Sequence, residues 1–336
     1  MSWFTDFWIP LIKVVVIVLV LLVAGAYATW AERKICARFQ VRYGPNRAGR
    51  FGLLQPLADA VKAIFKEEIV PNHVDKVLYV IAPGISFAAV LITFAVIPFG
   101  PEISLFGQKV GLWIGDVNVG LLYLLAVAGL GAYGVVLGGW SSNNKYSLLG
   151  ALRATAQMIS YELPMGLALL AVVLINGSLS LRQIVESQGS WPLAVLQPVG
   201  FLVFLVAILA EGNRSPFDLP ETENELVSGF MTEYGGIKFA LYYVAEYAAM
   251  VVNGAITATI FLGGWKWPAV LSDLHPLVGV ALFVAKIVLL VFVFVWIRAS
   301  LPRVRYDKFM QFCWKFMVPL ALLNLAVTAV VLAVVA

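Results

Sequence analysis

The sequence predicts an all-α integral membrane protein with about eight transmembrane helices. Hydrophobic residues make up 61% of the 336 residues and charged residues only 12%, against about 25% charged residues in ordinary globular proteins. Apolar runs of about 20 residues, the length that a helix needs to cross a bilayer, recur along the chain. These runs are continuous, whereas strands of a membrane barrel alternate with a period of two over about 10 residues. The chain, residues 1–336, is therefore expected to form a single helical membrane domain.

Eight apolar runs are long enough to cross a membrane. The first run has no basic segment before it and no small-residue cleavage site after it, so we expect it to be retained as a span. The predicted spans are residues 9–30, 78–98, 118–139, 157–177, 193–211, 239–262, 277–298 and 312–335.

The distribution of basic residues predicts the orientation of these spans. One set of loops contains 18 Lys and Arg residues, and the other contains three, Lys109, Arg182 and Lys266. Because cytoplasmic loops carry the excess of Lys and Arg, both termini are expected outside and the 211–238 loop inside. We expect a multi-pass protein of a bacterial inner membrane with periplasmic termini; a mitochondrial inner membrane is the second possibility. The basic excess follows from this topology and does not indicate nucleic-acid binding.

The loop after the first span predicts an interfacial amphipathic helix over residues 51–66. Apolar residues recur there at helical spacing, and polar residues line the opposite side. This helix is too short and too charged to span, so it is expected to lie flat in the interface. It would wall off an opening through which an amphiphile could enter, although a plain membrane anchor would have the same pattern. The apolar residues are Leu54, Leu57, Val61, Ile64 and Phe65.

An acidic cytoplasmic loop, residues 211–238, is the most unusual stretch of the chain. Arg214 is the only base between residues 211 and 234. Pro216 and Pro220 disfavour regular structure, so we expect an irregular segment. A solvated charged loop is the simplest interpretation, but interleaved large apolar residues such as Phe217 and Phe230 indicate that the loop packs against something. Its acidic residues are Glu211, Asp218, Glu221, Glu223, Glu225 and Glu233.

Ionisable residues also lie inside the predicted spans. Glu162, Glu246 and Lys286 occupy spans four, six and seven, and Glu211 ends the fifth. A charge at the centre of a span costs about 2.5 to 3.5 kcal/mol, so such residues face a partner or a wet cavity. A structural ion pair between Lys286 and a Glu is one possibility. A chain of carboxylates that passes protons is the other.

The chain is expected to bind no metal, cofactor or redox centre. Cys36 and Cys313 are its only cysteines, too few for an iron–sulfur cluster. His73 and His275, the only histidines, fall on opposite sides of the predicted membrane, which excludes a bis-His haem. Glycine-rich nucleotide-binding motifs are absent from the sequence.

Four stretches resemble one protein family closely. They are similar to the quinone-proximal, H-type membrane subunits of complex I, the proton-pumping NADH:quinone oxidoreductase. The likeness extends over nearly the whole chain and includes the order of the loops. Membrane subunits of hydrogenases and formate hydrogenlyases are more distantly similar and provide an alternative. The stretches are AERKICARFQVRYGPNRAGRFGLLQPLADAVK, GGWSSNNKYSLLGALRATAQMISYE, EGNRSPFDLPETENELVSGFMTEY and WIRASLPRVRYD.

This resemblance implies a site and a set of partners. The family's quinone chamber is framed by the first span, the interfacial helix and the acidic loop, against peripheral-arm subunits that hold FMN and iron–sulfur clusters. Quinone, of the ubiquinone or menaquinone type, would be the substrate, and no residue would act covalently. The implied quinone-binding residues are Glu32, Arg33, Arg42, Phe51, Gln55, Asp59, Lys62, Phe65, Arg214, Phe217, Asp218, Phe230 and Arg298.

The resemblance also implies a proton path toward antiporter-like membrane subunits. This chain departs from the family near its third span, where some members carry a Glu and this sequence has Gly129 and Leu130. The path near that span must then use water or a neighbouring subunit. The implied path residues are Glu162, Glu211, Glu221, Glu223, Glu225, Glu233 and Glu246.

Two other classes of function compete with this interpretation. A secondary transporter coupled through its carboxylates would show an internal repeat of interrupted helices, and the sequence contains no such repeat. A scaffold that only docks peripheral subunits through the acidic loop is the second alternative, and quinone labelling would separate it from a quinone-binding subunit.

The predicted topology is tested with reporter fusions. A reporter fused after Ala336 should be exposed outside, and a reporter inserted near Asn144 should be cytoplasmic, because the 18-to-3 distribution of basic residues orients the spans. Accessibility to a membrane-impermeant reagent in intact cells reports the side. Both reporters on the same side would contradict the predicted number of spans.

Overall fold

The computed structural model describes residues 2–105, 108–189, 191–218, 223–267 and 275–335. These residues form helices and one two-stranded hairpin, which confirms the predicted all-α membrane class. The hairpin strands are β1 (Gly100–Leu105) and β2 (Gln108–Leu112). The helices are α1 (Ser2–Phe39), α2 (Gln55–Phe65), α3 (Lys76–Phe94), α4 (Gly120–Ser141), α5 (Lys145–Asn176), α6 (Leu181–Ser187), α7 (Leu193–Leu196), α8 (Pro198–Glu211), α9 (Glu223–Leu226), α10 (Gly236–Phe261), α11 (Pro276–Ser300), α12 (Tyr306–Phe312) and α13 (Val318–Val335).

Seven helical segments in the described ranges are long and apolar enough to cross a membrane: α1, α3, α4, α5, α10, α11 and the continuous stretch Tyr306–Val334. The predicted fifth span, 193–211, is divided at Gln197, whose φ of −129° and ψ of 65° are not helical. Pro198 explains the break, because it restricts the residue before it to extended geometry. α8 has 14 residues, about 21 Å at 1.5 Å per residue. That this shorter segment crosses the bilayer stays a prediction.

Two helices extend beyond their apolar runs on the predicted cytoplasmic side. α1 continues to Phe39 and α5 begins at Lys145, where the side chain of Asn144 accepts a hydrogen bond from the Tyr146 N–H at 2.9 Å. The assignment of Arg33 and Arg153 to loops is therefore wrong. Long basic side chains favour helix and reach the interface while their stems stay on apolar surface, so the apolar run alone underestimates the helix.

α10 forms the centre of the bundle and packs against α1, α3 and α11. Its most apolar window has a mean hydropathy of only 1.4, yet 78% of that window is buried. α1 has a mean hydropathy of 2.9 and is 6% buried. The least apolar span is thus inside, because the lipid-facing surface requires the apolar residues and polar groups need protein partners.

A β-hairpin that the sequence analysis did not predict covers the predicted outer side. β1 pairs antiparallel with β2, and Ile103 lies opposite Val110. Arg182 at the start of α6 joins this hairpin to the bundle, since its guanidinium lies 3.7 Å from Glu102 and 3.7 Å from Asp116. The short, glycine-containing strands carry too little alternation to distinguish them from a loop.

The two predicted cytoplasmic segments contain helix, in part. The interfacial helix begins at Gln55 rather than 51, since Phe51 has a left-handed φ of 58° inside a single 3₁₀ turn. None of its residues is buried, as expected for a helix whose apolar stripe faces lipid. The 211–238 loop contains α9 and a 3₁₀ turn at Gly229–Met231, and α10 begins within it at Gly236.

Backbone carbonyls accept the hydrogen bonds of the Lys286 ammonium group. This group donates to the backbone carbonyls of Leu262, Gly264 and Trp267, each at 2.6 Å. An ammonium has three N–H donors, and the end of α10 provides carbonyls that lack helical partners. Among the residues that the structure describes, Lys286 forms no ion pair with a Glu, the possibility that the sequence left open, and it instead caps α10 from α11.

Candidate functional site

The candidate site is centred on Glu32, a buried carboxylate near the C-terminal end of α1. It accepts a hydrogen bond from Arg214 of the acidic loop at 3.0 Å and another from Arg298 at the end of α11. Tyr247 of α10 presents its ring face to Arg214, with the guanidinium carbon 4.1 Å from the ring centroid. The Glu32 carboxylate therefore joins α1, α11 and the loop, and Tyr247 of α10 contacts the cluster through Arg214.

Burying the charges of Glu32 and Arg214 costs free energy, because both charges lose water. The ion pairs of Glu32 with Arg214 and Arg298 offset this cost. Glu32 and Arg214 are each 7% exposed. Burial by itself acts to lower the pKa of Arg214, but the electrostatic interactions of its guanidinium with the Tyr247 side chain and with the Glu32 carboxylate outweigh burial, so the pKa is raised. Arg214 is therefore permanently charged, and removing one partner of such a pair costs about 3 to 5 kcal/mol.

Gln157 and Arg303 hold the loop that carries Arg214. The Gln157 amide of α5 is fully buried and donates to the carbonyl of Ala210 at 2.6 Å and to that of Phe217 at 2.8 Å. Arg303 donates to Asp218 at 2.6 Å. Both ends of the short loop after α8 are thus attached to other helices, which determines where Arg214 lies.

Two aromatic residues implied to bind quinone are buried, and Phe230 also lines one of the cavities of the bundle. Phe217 is 9% exposed and packs on Phe309 at a centroid distance of 4.6 Å. Phe230 is 2% exposed and lies edge-on to Tyr242 at 5.1 Å. Their contacts support the prediction that the acidic loop packs against the bundle.

A groove of about 750 Å³ lies between α2 and the start of α10. At its α1 side, Arg33 pairs with Asp59 at 2.7 Å, and Gln55 donates to the other oxygen of Asp59 at 2.9 Å. The groove thus combines basic groups with exposed aromatic rings at the level of the interface. Residues along it include Asp59, Lys62, Phe65, Lys66, Tyr234 and Phe239.

The structure keeps Arg42 and Phe51 apart from the buried ion cluster. Arg42 is exposed and donates to Gln40 at 2.6 Å. Phe51 is 63% exposed, and its carbonyl accepts a hydrogen bond from the Trp30 ring nitrogen at 3.3 Å. Both residues lie at the surface between α1 and α2, where the apolar side of an entering molecule would pass.

Two cavities of the bundle are lined by carboxylate residues. Their volumes are about 90 and 80 Å³, and Glu211 and Met158 line both. Glu246 and Asn213 line the second cavity as well. Liquid water occupies about 30 Å³ per molecule, so each cavity has room for roughly two or three waters among polar groups.

Glu162 lies opposite the glycine that marks this chain's departure from the family pattern. A Cβ added at Gly129 would lie 3.3 Å from the Oε1 atom of Glu162. A side chain at position 129 would therefore meet Glu162 directly. Its absence leaves the carboxylate of α5 open toward α4.

The acidic loop has more countercharge than its sequence indicates. Arg153 of α5 pairs with Glu225 at 2.6 Å, and Asn144 donates to the Glu233 carboxylate at 2.7 Å. Arg214, the only base within the 211–234 stretch, pairs instead with Glu32. Glu221 lies outside the described residues, and Glu223 begins α9 with a side chain outside the described part.

Four contributors to the site were missed: Gln157, Tyr247, Arg153 and Arg303. Gln157 had a signal, since an amide in an apolar span requires a partner. Nothing in the sequence singled out Tyr247, because an aromatic residue in a membrane span usually belongs to the hydrophobic core. The described residues contain no group of three or more His, Cys, Asp or Glu that could hold a metal ion.

Comparison with known proteins identifies close relatives of this chain. A family model described as NADH dehydrogenase matches residues 12–329. The chain is 50% identical over 328 residues to an H-type subunit of the NADH-quinone oxidoreductase of Syntrophobacter fumaroxidans, covering 98% of this chain and 97% of the relative. It is 52% identical over 332 residues to the corresponding subunit of Geobacter sulfurreducens, covering 95% and 93%. The counterpart in Syntrophotalea carbinolica is 50% identical over 318 residues, covering 95% and 94%.

Substitution of Glu32 tests whether it is the counterion shared by Arg214 and Arg298. Glu32→Ala removes the counterion of the buried Arg214 and of the partly exposed Arg298 and should lower the free energy of unfolding by about 3 to 5 kcal/mol. The control is Asp59→Asn, which removes an exposed pair with Arg33 and should cost at most about 1 kcal/mol. Denaturant titration of the purified complex in detergent measures both. Equal effects of the two substitutions would contradict the central role of Glu32.

Proposed function

This chain belongs to the NADH dehydrogenase family, as a membrane subunit of NADH-quinone oxidoreductase, and we propose that it forms part of the quinone chamber and couples quinone reduction to proton translocation. The buried cluster of Glu32, Arg214 and Arg298 supports this proposal most strongly. Arg214 follows Glu211 by three residues in the chain, so the cluster and the carboxylate cavities share one short segment. A change of charge at the cluster acts on that segment directly.

The relatives favour this function over the alternatives. All three are named as subunits of NADH-quinone oxidoreductase and match this chain almost end to end, whereas a hydrogenase subunit or a carboxylate-coupled transporter would have other relatives. The scaffold alternative remains to be separated by experiment, because docking and quinone binding use the same cytoplasmic face.

The groove between α2 and α10 supports a quinone entrance. A quinone is an amphiphile with a long apolar tail and a polar head group, and it diffuses within the bilayer. The exposed ring of Phe65 suits the tail, while Lys62 and the Arg33–Asp59 pair suit the head group. The head group would then move past the end of α1 toward Glu32 and Arg214.

The size of electrostatic energies supports coupling between the reduction of a quinone and the protonation of nearby carboxylates. Reducing a quinone to a quinol consumes two electrons, supplied by a partner's iron–sulfur cluster, and two protons. A unit charge placed about 10 Å from another in a medium of effective dielectric constant 20 changes its energy by about 1.7 kcal/mol. Moving one proton against 100 mV requires about 2.3 kcal/mol. The two energies are similar, so charge appearing near Arg214 is enough to shift protons among nearby carboxylates.

The proposal also covers the partner subunits of this chain and the membrane in which it lies. Peripheral-arm subunits with FMN and iron–sulfur clusters would dock on the cytoplasmic face around the acidic loop and α2. Antiporter-like membrane subunits would receive the proton-linked change from the side of Glu162 and Glu246. The named relatives come from bacteria, which supports a bacterial inner membrane with both termini periplasmic.

A photoreactive quinone analogue tests the chamber. Labelling of the native complex should fall within residues 33–65 or on the loop around Phe217, because the groove and the ion cluster lie there. Excess unlabelled quinone should protect these positions, and peptide mass spectrometry locates the label. Protectable labelling confined to other spans would remove the basis for this entrance.

Neutralising the acidic loop tests the coupling. Glu223→Gln and Glu225→Gln should leave assembly and reduction of the clusters by NADH intact, since neither residue carries electrons. Proton translocation with quinone reduction should fall at least about tenfold, because positioned acid and base groups typically contribute 10²- to 10⁴-fold. Native gels, optical spectra and resealed vesicles provide the measurements.

The matched control for the loop is Glu102→Gln, which removes one carboxylate from the hairpin of the predicted opposite side. It should leave proton translocation unchanged. Full translocation in the double variant Glu223→Gln, Glu225→Gln would favour a docking surface without a role in coupling.

A further inference from the structure

A row of hydroxyl groups lies along one face of α4. The Ser141 hydroxyl is 3.4 Å from that of Tyr234. The hydroxyls of Tyr234 and Tyr242 both lie beside Gly138 of α4, and the two rings meet edge-to-face at 5.1 Å. Tyr242 also donates to the Gly134 carbonyl at 3.0 Å. Three hydroxyl groups therefore follow one another within the bundle.

Two glycines make room for this row. A Cβ added at Gly138 would lie 2.3 Å from the Tyr242 hydroxyl and 3.5 Å from the Tyr234 hydroxyl. A Cβ added at Gly134 would lie 2.1 Å from the Ser86 hydroxyl. Gly134 and Gly138 are four residues apart and share one helix face, so any larger residue at either position would displace a hydroxyl. The backbone of α4 thus brings Ser86 to the inner end of the row.

Ser86 shows that the inner end of the row lacks a protein partner. It is 8% exposed, and its Oγ atom has no hydrogen-bond partner among the described residues. Ser86 and Tyr242 both line the 80 Å³ cavity that also contains Glu211 and Glu246. A buried hydroxyl without a partner is costly, and a water in this polar cavity would satisfy it.

The end of the row opposite to Ser86 reaches the groove between α2 and α10. Tyr234 lines the groove between α2 and α10, where Lys62 and Asp59 also lie. The row therefore runs from a groove at the predicted cytoplasmic surface to the cavity that contains two carboxylates. Packing alone does not require this arrangement, because phenylalanine rings would fill the same space.

We propose that Tyr234, Tyr242 and Ser86, with the Ser141 hydroxyl beside Tyr234, form a proton-conducting row that supplies the carboxylates of the inner cavity from the predicted cytoplasmic groove. This inference rests on the proposed function and adds residues that the carboxylate path does not contain. At each step a hydroxyl oxygen accepts one proton and releases its own to the next oxygen. One proton enters at the groove and one reaches Glu211 or Glu246 through cavity water. No atom is oxidised or reduced, and rotation of the hydroxyls restores the row.

Tyr234→Phe and Tyr242→Phe test the row in the native complex. Each keeps the ring and its packing but removes the hydroxyl. Proton translocation coupled to quinone reduction should fall at least about tenfold, within the range typical for positioned acid–base groups, while assembly and cluster reduction by NADH stay unchanged. A change in the solvent deuterium isotope effect on quinone reduction distinguishes lost proton transfer from altered packing.

Tyr79→Phe is the matched control. Tyr79 is fully buried and stacks on Tyr234 at 4.2 Å, but its hydroxyl donates away from the row, to the Glu233 carbonyl at 2.7 Å. This variant should translocate protons normally. A double variant Tyr234→Phe, Tyr242→Phe that matches Tyr79→Phe in translocation and isotope effect would overturn the row.

Gly138→Ala provides a second test without touching a tyrosine. Its methyl group would displace the Tyr242 hydroxyl, whereas Gly166→Ala, on α5 with nothing within 4 Å of its Cβ, is the control. Normal translocation in an assembled Gly138→Ala complex would also count against the row. If the tyrosine variants pump normally while Glu223→Gln, Glu225→Gln does not, the row fails and the proposed function stands. Quinone labelling outside the predicted regions would instead count against the proposed function.

Discussion

A charge inside an apolar bundle is stable only when protein groups replace the water that it has lost, and the end of the bundle that contains Glu32 depends on how this residue meets that requirement. Arg214 and Arg298 each bring one positive charge to the same carboxylate. Because these residues come from α1, the acidic loop and α11, the pairing holds three distant parts of the chain in register. Moving any one of them exposes an uncompensated charge, so the loop, the first span and the seventh predicted span respond together.

The same requirement explains why the polar groups of Lys286 and Gln157 have partners outside their own helices. Lys286 finds three carbonyls at the end of α10, and the Gln157 amide finds two at the ends of the loop after α8. Each such contact fixes the position of a helix end. The buried ion cluster and the carboxylate cavities are therefore parts of one connected framework, which is what coupling between an electron acceptor and proton movement needs.

Small residues determine how closely this framework packs. α4 contributes Gly129 beside Glu162, and Gly134 and Gly138 beside a serine and two tyrosines. In a membrane, helices that carry small residues approach closely and place polar groups in contact across the interface. The glycines of α4 thus have a chemical consequence as well as a packing one, since each admits an oxygen atom that a side chain would exclude.

Local composition and residues close in the chain were enough to predict the membrane class, the positions of most spans, the two cytoplasmic segments and the identity of the ionisable residues. Which charges meet depends instead on the packed bundle. Glu32 and Arg214 are separated by 182 residues and Glu32 and Arg298 by 266, and no local pattern specifies such pairs. For the same reason the pairing of Arg153 with Glu225 and of Arg303 with Asp218, and the tyrosine row along α4, could not be predicted before the helices were packed. Periodicity reports which face of a helix is apolar, whereas contact between faces depends on every helix that surrounds it.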